Sequence, residues 1–146
     1  MSPMNLKIEG LDELRAALRA LPAELAAEAG GIVLGAATAA ERDMAGQYAQ
    51  HDKTGNLSGG LSVSSEPGAI RYGARAVVRN RAPHALFAEH GTQVRQNAKG
   101  ANRGAMPPIS VFIPTAQRHR REMIRSLISL VESHGIKVST TETDLA

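Results

Sequence analysis

The chain has 146 residues, no cysteine, no tryptophan and four other aromatic residues, Tyr48, Tyr72, Phe87 and Phe112. That length suits one domain with a core of aliphatic and alanine side chains, and the missing cysteines exclude disulfides, thiolate zinc sites and cysteine nucleophiles. The formal charge of +3 conceals an asymmetry: residues 1–60 carry five Lys/Arg against eight Asp/Glu, net −3, and residues 61–146 carry twelve against six, net +6. Within 71–125 eleven basic residues face only Glu89 and Glu122, a stripe whose sign suits phosphate, an acidic protein partner or plain solvent.

The opening Met1 to Glu9 has neither the basic leader nor the apolar stretch of a signal peptide. The longest nearly apolar run, Ala29 to Ala40, is 12 residues, where a membrane span needs about 20. The expectation is a protein that folds in the cytoplasm and has no membrane partner.

Leu11, Leu14, Leu18 and Leu21 draw one apolar stripe and predict a first helix over 11–21. Pro22 ends it and suits the start of a second helix. That helix is expected from about Ala23 to Ala49, with Leu25, Ile32, Val33, Ala36, Ala40 and Met44 at helical intervals. Gly30, Gly31, Gly35 and Gly46 within it each cost about 1 kcal/mol relative to alanine. Two explanations stand side by side: another backbone packs closely on Gly31 and Gly35, or the helix kinks or divides at Gly30-Gly31.

Asp52 to Leu57 breaks the period with turn formers, and Gly55 or Asn56 suits a left-handed backbone. The period then becomes two. Leu61 and Val63 alternate with Ser62 and Ser64, Glu66-Pro67-Gly68-Ala69 reads as a type II turn, and a hairpin is expected. On its second arm Ile70, Tyr72, Ala74, Ala76 and Val78 take even positions while Arg71, Arg75, Arg79 and Arg81 take odd ones, giving an apolar and a basic face unless Gly73 forms a bulge. Pro83 to Thr92 reads as a short helical or turn segment closed by Gly91. Residues 93–108, with Arg95, Lys99 and Arg103, read as a long mobile basic loop. Ile109 to Ile113 is expected as a returning strand. Pro114 then precedes a last helix, Thr115 to about Ser133, whose buried stripe is Ala116, Met123, Ile124, Leu127, Ile128 and Val131. The domain is expected to end near residue 135, with a polar tail over 136–146 that is either frayed or docked.

The predicted class is α+β: two N-terminal helices and a C-terminal helix packed on a small, mainly antiparallel sheet. Residue types offer little chemistry. His84 and His90 stand six apart and point apart on a helix, so with Glu89 they make a poor metal set. His51 and Asp52 adjoin a turn, where capping is the ordinary role. No phosphate-binding glycine loop and no nucleophile elbow is present. No catalytic residue, cofactor or metal ligand is therefore expected. Nucleic-acid binding has the better motive, and neutralising four phosphates would give a salt slope of about −3.6 without sequence readout.

Ile8-Glu9-Gly10-Leu11-Asp12-Glu13-Leu14, Leu21-Pro22, the alanine-rich helix, Thr54-Gly55-Asn56-Leu57, Ala88-Glu89-His90-Gly91-Thr92 and Phe112-Ile113-Pro114-Thr115-Ala116 follow one another before the final helix. In that order and spacing, from about Leu6 to Val131, the chain resembles the neck or tail-completion proteins of long-tailed bacteriophages, the family of gene product ten of a lambdoid phage. It departs from that pattern at His51-Asp52-Lys53, at His84 and at Val111-Phe112, and its 93–108 segment is longer than usual. The resemblance implies a structural virion protein of the head-to-tail junction, assembled in the host cytoplasm as a homo-oligomeric ring around the DNA channel. The implied neighbours are stopper, terminator or tail-tube proteins, with non-specific contact to genomic DNA.

For the matching residues the residue types give their own account. Gly55 and Gly91 suit backbone turns and Leu57 and Phe112 suit the core, with Thr54, Thr92 and Pro114 beside them in the same turn and fold motifs. Glu89 is expected to pair with an arginine of its own or the next subunit. Arg71, Arg75, Arg79, Arg81, Arg95, Lys99 and Arg103 are the residues expected to face a neighbour or DNA. Opposite charges suggest how a ring forms: the acidic N-terminal half of one subunit meets the basic C-terminal half of the next.

Overall fold

The computed structural model describes residues 23–65 and 74–138, together with Ala16 and Arg19. Those two are helical and exposed; the rest of the expected first helix, the 66–69 turn, Gly73 and Arg71 lie outside the described residues.

Helix α1 spans Ala23–Ala49, an alanine-rich stretch. It runs unbroken through Gly30-Gly31, so it is one helix and not two. Among the described residues no second backbone packs on Gly31 or Gly35: a Cβ on either would meet nothing within 4 Å, and one on Gly30 would sit 3.5 Å from the Ala74 side chain. The glycine cost is offset instead at the helix's other face. Ala40, Met44 and Tyr48, spaced by four, are buried, and Met44 and Tyr48 are wholly enclosed; each large enclosed side chain contributes about 1.5–3 kcal/mol.

The short helix α2 (Asn56–Gly59) follows, then strand β1 (Leu61–Ser65), paired antiparallel with β2 (Ala76–Asn80) in the register Leu61↔Asn80, Val63↔Val78, Ser65↔Ala76. The alternation persists: Leu61 is buried and Val78 half-buried, while Arg79, opposite Ser62, is exposed. Helix α3 covers Ala85–His90.

The 93–108 segment departs from the expected structureless loop. It folds back as a second antiparallel pair, β3 (Arg95–Gln96) and β4 (Asn102–Gly104), with the register shifting between Arg95↔Gly104 and Gln96↔Asn102. Asn97 builds the bend, its Oδ1 accepting from the N–H groups of Lys99 (3.0 Å) and Ala101 (2.8 Å), the Asx-turn chemistry that lets one asparagine stand in for a backbone turn. The described strands thus form two separate two-stranded sheets.

Helix α4 runs Phe112–Ser133. It begins three residues before the expected start, so Ile109–Ile113 is not a strand. Pro114 sits in the helix's first turn, where a missing N–H breaks no intrahelical bond. Thr115, Ile124, Leu127 and Val131 are buried along one side. Gly135, at φ +81°, closes the helix, its N–H donating to Glu132 O at 2.9 Å. The chain stays packed past residue 135: Ile136 and Val138 lie against the cluster of Ala29, Leu127 and Val131 between α1 and α4. The second cluster, Met44, Tyr48, Leu57, Leu61, Ala88 and Val111 among its members, joins α1 to the small elements.

The fold is therefore α+β, with α1 against α4 as its frame. A polar tie crosses that frame: Asp43 accepts from Arg118 and lies 3.0 Å from His119 Nε2, while Gln47 Nε2 donates to Asp43 (3.2 Å) and to Thr115 Oγ1 (2.9 Å).

Candidate functional site

The segments Thr54-Gly55-Asn56-Leu57, Ala88–Thr92 and Phe112–Ala116 are far apart in sequence and are drawn together around the C-terminal end of α1. At the centre is Glu89. Its Oε1 accepts from the Tyr48 hydroxyl and from the N–H groups of Val111 (3.1 Å) and Phe112 (2.9 Å). One carboxylate oxygen therefore satisfies a phenol inside the core and two amide donors at the start of α4, where a helix leaves its first N–H groups unpaired and favours negative charge. Where an arginine of its own or the next subunit was expected, the partners Glu89 has within its own chain are this phenol and these two amides, and its Oε1 acts as a helix cap. Burial, and then the adjacent Glu89 carboxylate, push the Tyr48 phenol well above its ordinary pKa.

The chain on either side of Glu89 is pinned to the segment before α4. Ile109 N–H donates to Ala88 O at 2.8 Å, and Ser110 Oγ donates to Glu89 O at 3.3 Å. Gly91 has φ +73° and ψ −175°, a conformation essentially confined to glycine. A Cβ there would also stand 2.6 Å from Met106 O and 3.0 Å from Pro108 N. Thr92 completes the clamp, its N–H donating to Met106 O and its Oγ1 accepting from Met106 N–H, both at 2.9 Å. Together Gly91 and Thr92 fix the base from which β3 and β4 extend.

Asp52 organises the neighbouring turn. Its Oδ2 accepts from the N–H groups of Leu57 (2.6 Å) and Ser58 (2.9 Å), and its Oδ1 from Gly55 (3.0 Å) and Thr54 (3.2 Å). The Ser58 N–H bond, joined by those of Thr54, Leu57 and Gly55 against a smaller desolvation effect, lowers its pKa from 3.8 to about 2. Of the two residues suited to a left-handed backbone it is Gly55 that adopts it, φ 76°, immediately before α2. Leu57 is buried, and its carbonyl accepts from Asn80 Nδ2 at 3.0 Å, which ties the turn to β2.

The matching residues Thr54, Gly55, Leu57, Gly91, Thr92, Phe112 and Pro114 all lie in or beside this joint. The basic residues do not. Arg79, Arg81, Arg95, Lys99 and Arg103 are exposed, as is Arg75, which has an interaction of its own. Every residue of β3 and β4 is exposed. Sequence reasoning passed over Tyr48, although it continues the Ala40, Met44 spacing by one more turn. It also passed over Asp43 and His119, whose meeting depends on how α1 and α4 cross.

The site's chemistry is that of caps and ties. His119 Nε2 faces Asp43 and Nδ1 lies 3.4 Å from Glu122 Oε2, so both ring nitrogens are directed at carboxylates. His84 and His90 are exposed while Glu89 is turned inward, so those three do not converge. Among the described residues no group of three or more His, Cys, Asp or Glu is placed to hold a metal, and no helix is long and apolar enough to cross a membrane. Comparison with family models, curated proteins and solved structures returns no match for this chain.

Proposed function

We propose that the chain is a non-enzymatic structural protein of the bacteriophage head-to-tail connection, acting as a ring subunit around the DNA channel and joining the tail to the filled head. The observation that carries this reading is the convergence just described. Parts of the three segments that carry the resemblance meet at one place: Leu57 and Ala88 are buried in one cluster with Val111, and Glu89 accepts from the N–H groups of Val111 and Phe112, as expected if they are the framework of one family fold. The surface left over is basic, extended and apolar in places, which suits contacts with neighbours. Depleting the chain during phage growth and imaging the particles tests it: filled heads and free tails should accumulate unjoined, and purified particles should carry the chain at the neck. Complete, infectious particles lacking the chain would refute it.

The exposed Arg79, Arg81, Arg95, Lys99 and Arg103 also support a second reading, a basic nucleic-acid-binding accessory protein. That reading expects a DNA mobility shift that weakens steeply with salt, and no incorporation into particles.

A further inference from the structure

Among the described residues the exposed large apolar side chains are Leu34 (41%), Leu86 (51%), Phe87 (56%), Val94 (62%) and Ile113 (42%). Four of the five belong to one stretch of chain, 85–113, and the Glu89 bonds to Val111 and Phe112 hold α3, which carries Leu86 and Phe87, beside the first turn of α4, which carries Ile113. Val94 stands between the Thr92 clamp and β3. Next to this apolar group the β3–β4 hairpin carries Arg95, Lys99 and Arg103, and none of its strand residues is covered. A two-stranded hairpin of this kind is at best marginally stable alone in water. Here it is held at its base by the Thr92–Met106 bonds, with its strand residues exposed. An apolar group rimmed by positive charge is the anatomy of a protein interface more than of a phosphate-binding surface.

We infer that this face, α3 with the hairpin, docks on the N-terminal half of α1 in a second copy of the chain. The inference rests on the ring reading above and names the surfaces that make the ring. Charge complementarity selects the occupant: the hairpin belongs to the half of the chain with net charge +6, and α1 to the half with net charge −3. On α1 the exposed Glu28, Gly31, Leu34 and Gly35 share one face. That face offers an acidic group for the hairpin, Leu34 for the apolar group, and, among the described residues, open space over Gly31 and Gly35 for Phe87. Donor and acceptor surfaces differ, so the contact is heterologous, the kind that closes into a ring when the rotation allows.

Sedimentation velocity on the full chain across a range of concentrations tests this. The unaltered chain should self-associate. Leu86→Glu with Phe87→Glu should weaken that association by about tenfold or more while leaving the melting temperature in place, since both side chains are exposed. The hairpin triple Arg95→Glu, Lys99→Glu, Arg103→Glu and the single Glu28→Lys should each associate less than the unaltered chain, and mixing the two variants should restore association. A chain that stays monomeric at every concentration, variants that associate as the unaltered chain does, or a hairpin triple that loses only DNA binding would overturn the inference. The neck reading stands or falls separately, on whether the chain is found at the neck of particles.

Discussion

The joint around Glu89 and the β3–β4 hairpin are joined through Gly91 and Thr92, yet they are built on opposite principles. In the joint nearly every polar group is matched: Tyr48, Val111 and Phe112 share one carboxylate oxygen, and Asp52 holds four backbone N–H groups. The hairpin has its own Asx turn and almost nothing beneath it. Residues that look functional by their polarity, Glu89 and Asp52, serve the fold. Residues that look like ordinary solvated surface, Arg95, Lys99 and Phe87, are the ones left with bonding capacity and apolar area to offer another molecule.

The largest effects should come from breaking the joint. Gly91→Ala places a Cβ against Met106 O in a backbone conformation reserved for glycine. The conformation alone costs about 1–3 kcal/mol, and the collision adds to it, so chemical denaturation should show a loss of about 3 kcal/mol or an unfolded chain. Glu89→Ala strands a buried phenol and two amide donors, and should cost about 2–4 kcal/mol; Glu89→Gln, which keeps an acceptor oxygen, should cost less. Asp43→Ala removes the shared acceptor of the tie between α1 and α4, and the partial exposure of that tie limits the loss to about 1 kcal/mol in the same assay.

Acid provides a sharper instrument on the Asp52 turn. Its pKa is lower in the folded chain, about 2, than the ordinary 3.8, so the unfolded chain takes up the proton first. The stabilisation is complete above about pH 4 and is lost as the pH falls through 2. The stability difference between the unaltered chain and Asp52→Asn should therefore shrink across that interval, and a difference independent of pH would mean that the four N–H bonds are not what Asp52 contributes. On the hairpin the effect on stability should be smallest: the Arg95, Lys99 and Arg103 reversals should change it by about 0.5 kcal/mol or less. A large loss there would erase the contrast between the two regions.

What could be read from the sequence follows the same division. The periodicity of α1 is strong enough to place both of its ends, Ala23 and Ala49, because alanine packing and a four-residue apolar spacing point the same way. That a hairpin follows Leu61 was legible from alternation, and Gly91 from its place after a short helical pattern; the register was not, since a turn at 66–69 would set Ser65 opposite Ile70 and Ser65 instead pairs with Ala76. The start of α4 was not, because proline was taken as a barrier when the first turn of a helix tolerates it. The 93–108 segment looked featureless because its order comes from one asparagine side chain, Asn97, and from a clamp at its base, neither of which leaves a periodic trace. For Glu89 the sequence shows charge and not direction: the partners it has within the chain are the Tyr48 hydroxyl and two backbone amides more than twenty residues away.

The central claim is that the joint is complete within one chain while α3 and the hairpin are completed by a neighbour. Hydrogen–deuterium exchange read by mass spectrometry, on the free chain and on the assembled form, measures this directly. The account predicts that the amides of Val111 and Phe112 are protected equally in both, and that residues 85–104 together with the N-terminal half of α1 gain protection only on assembly. Unchanged exchange over 85–104, with new protection confined to other surfaces, would contradict it.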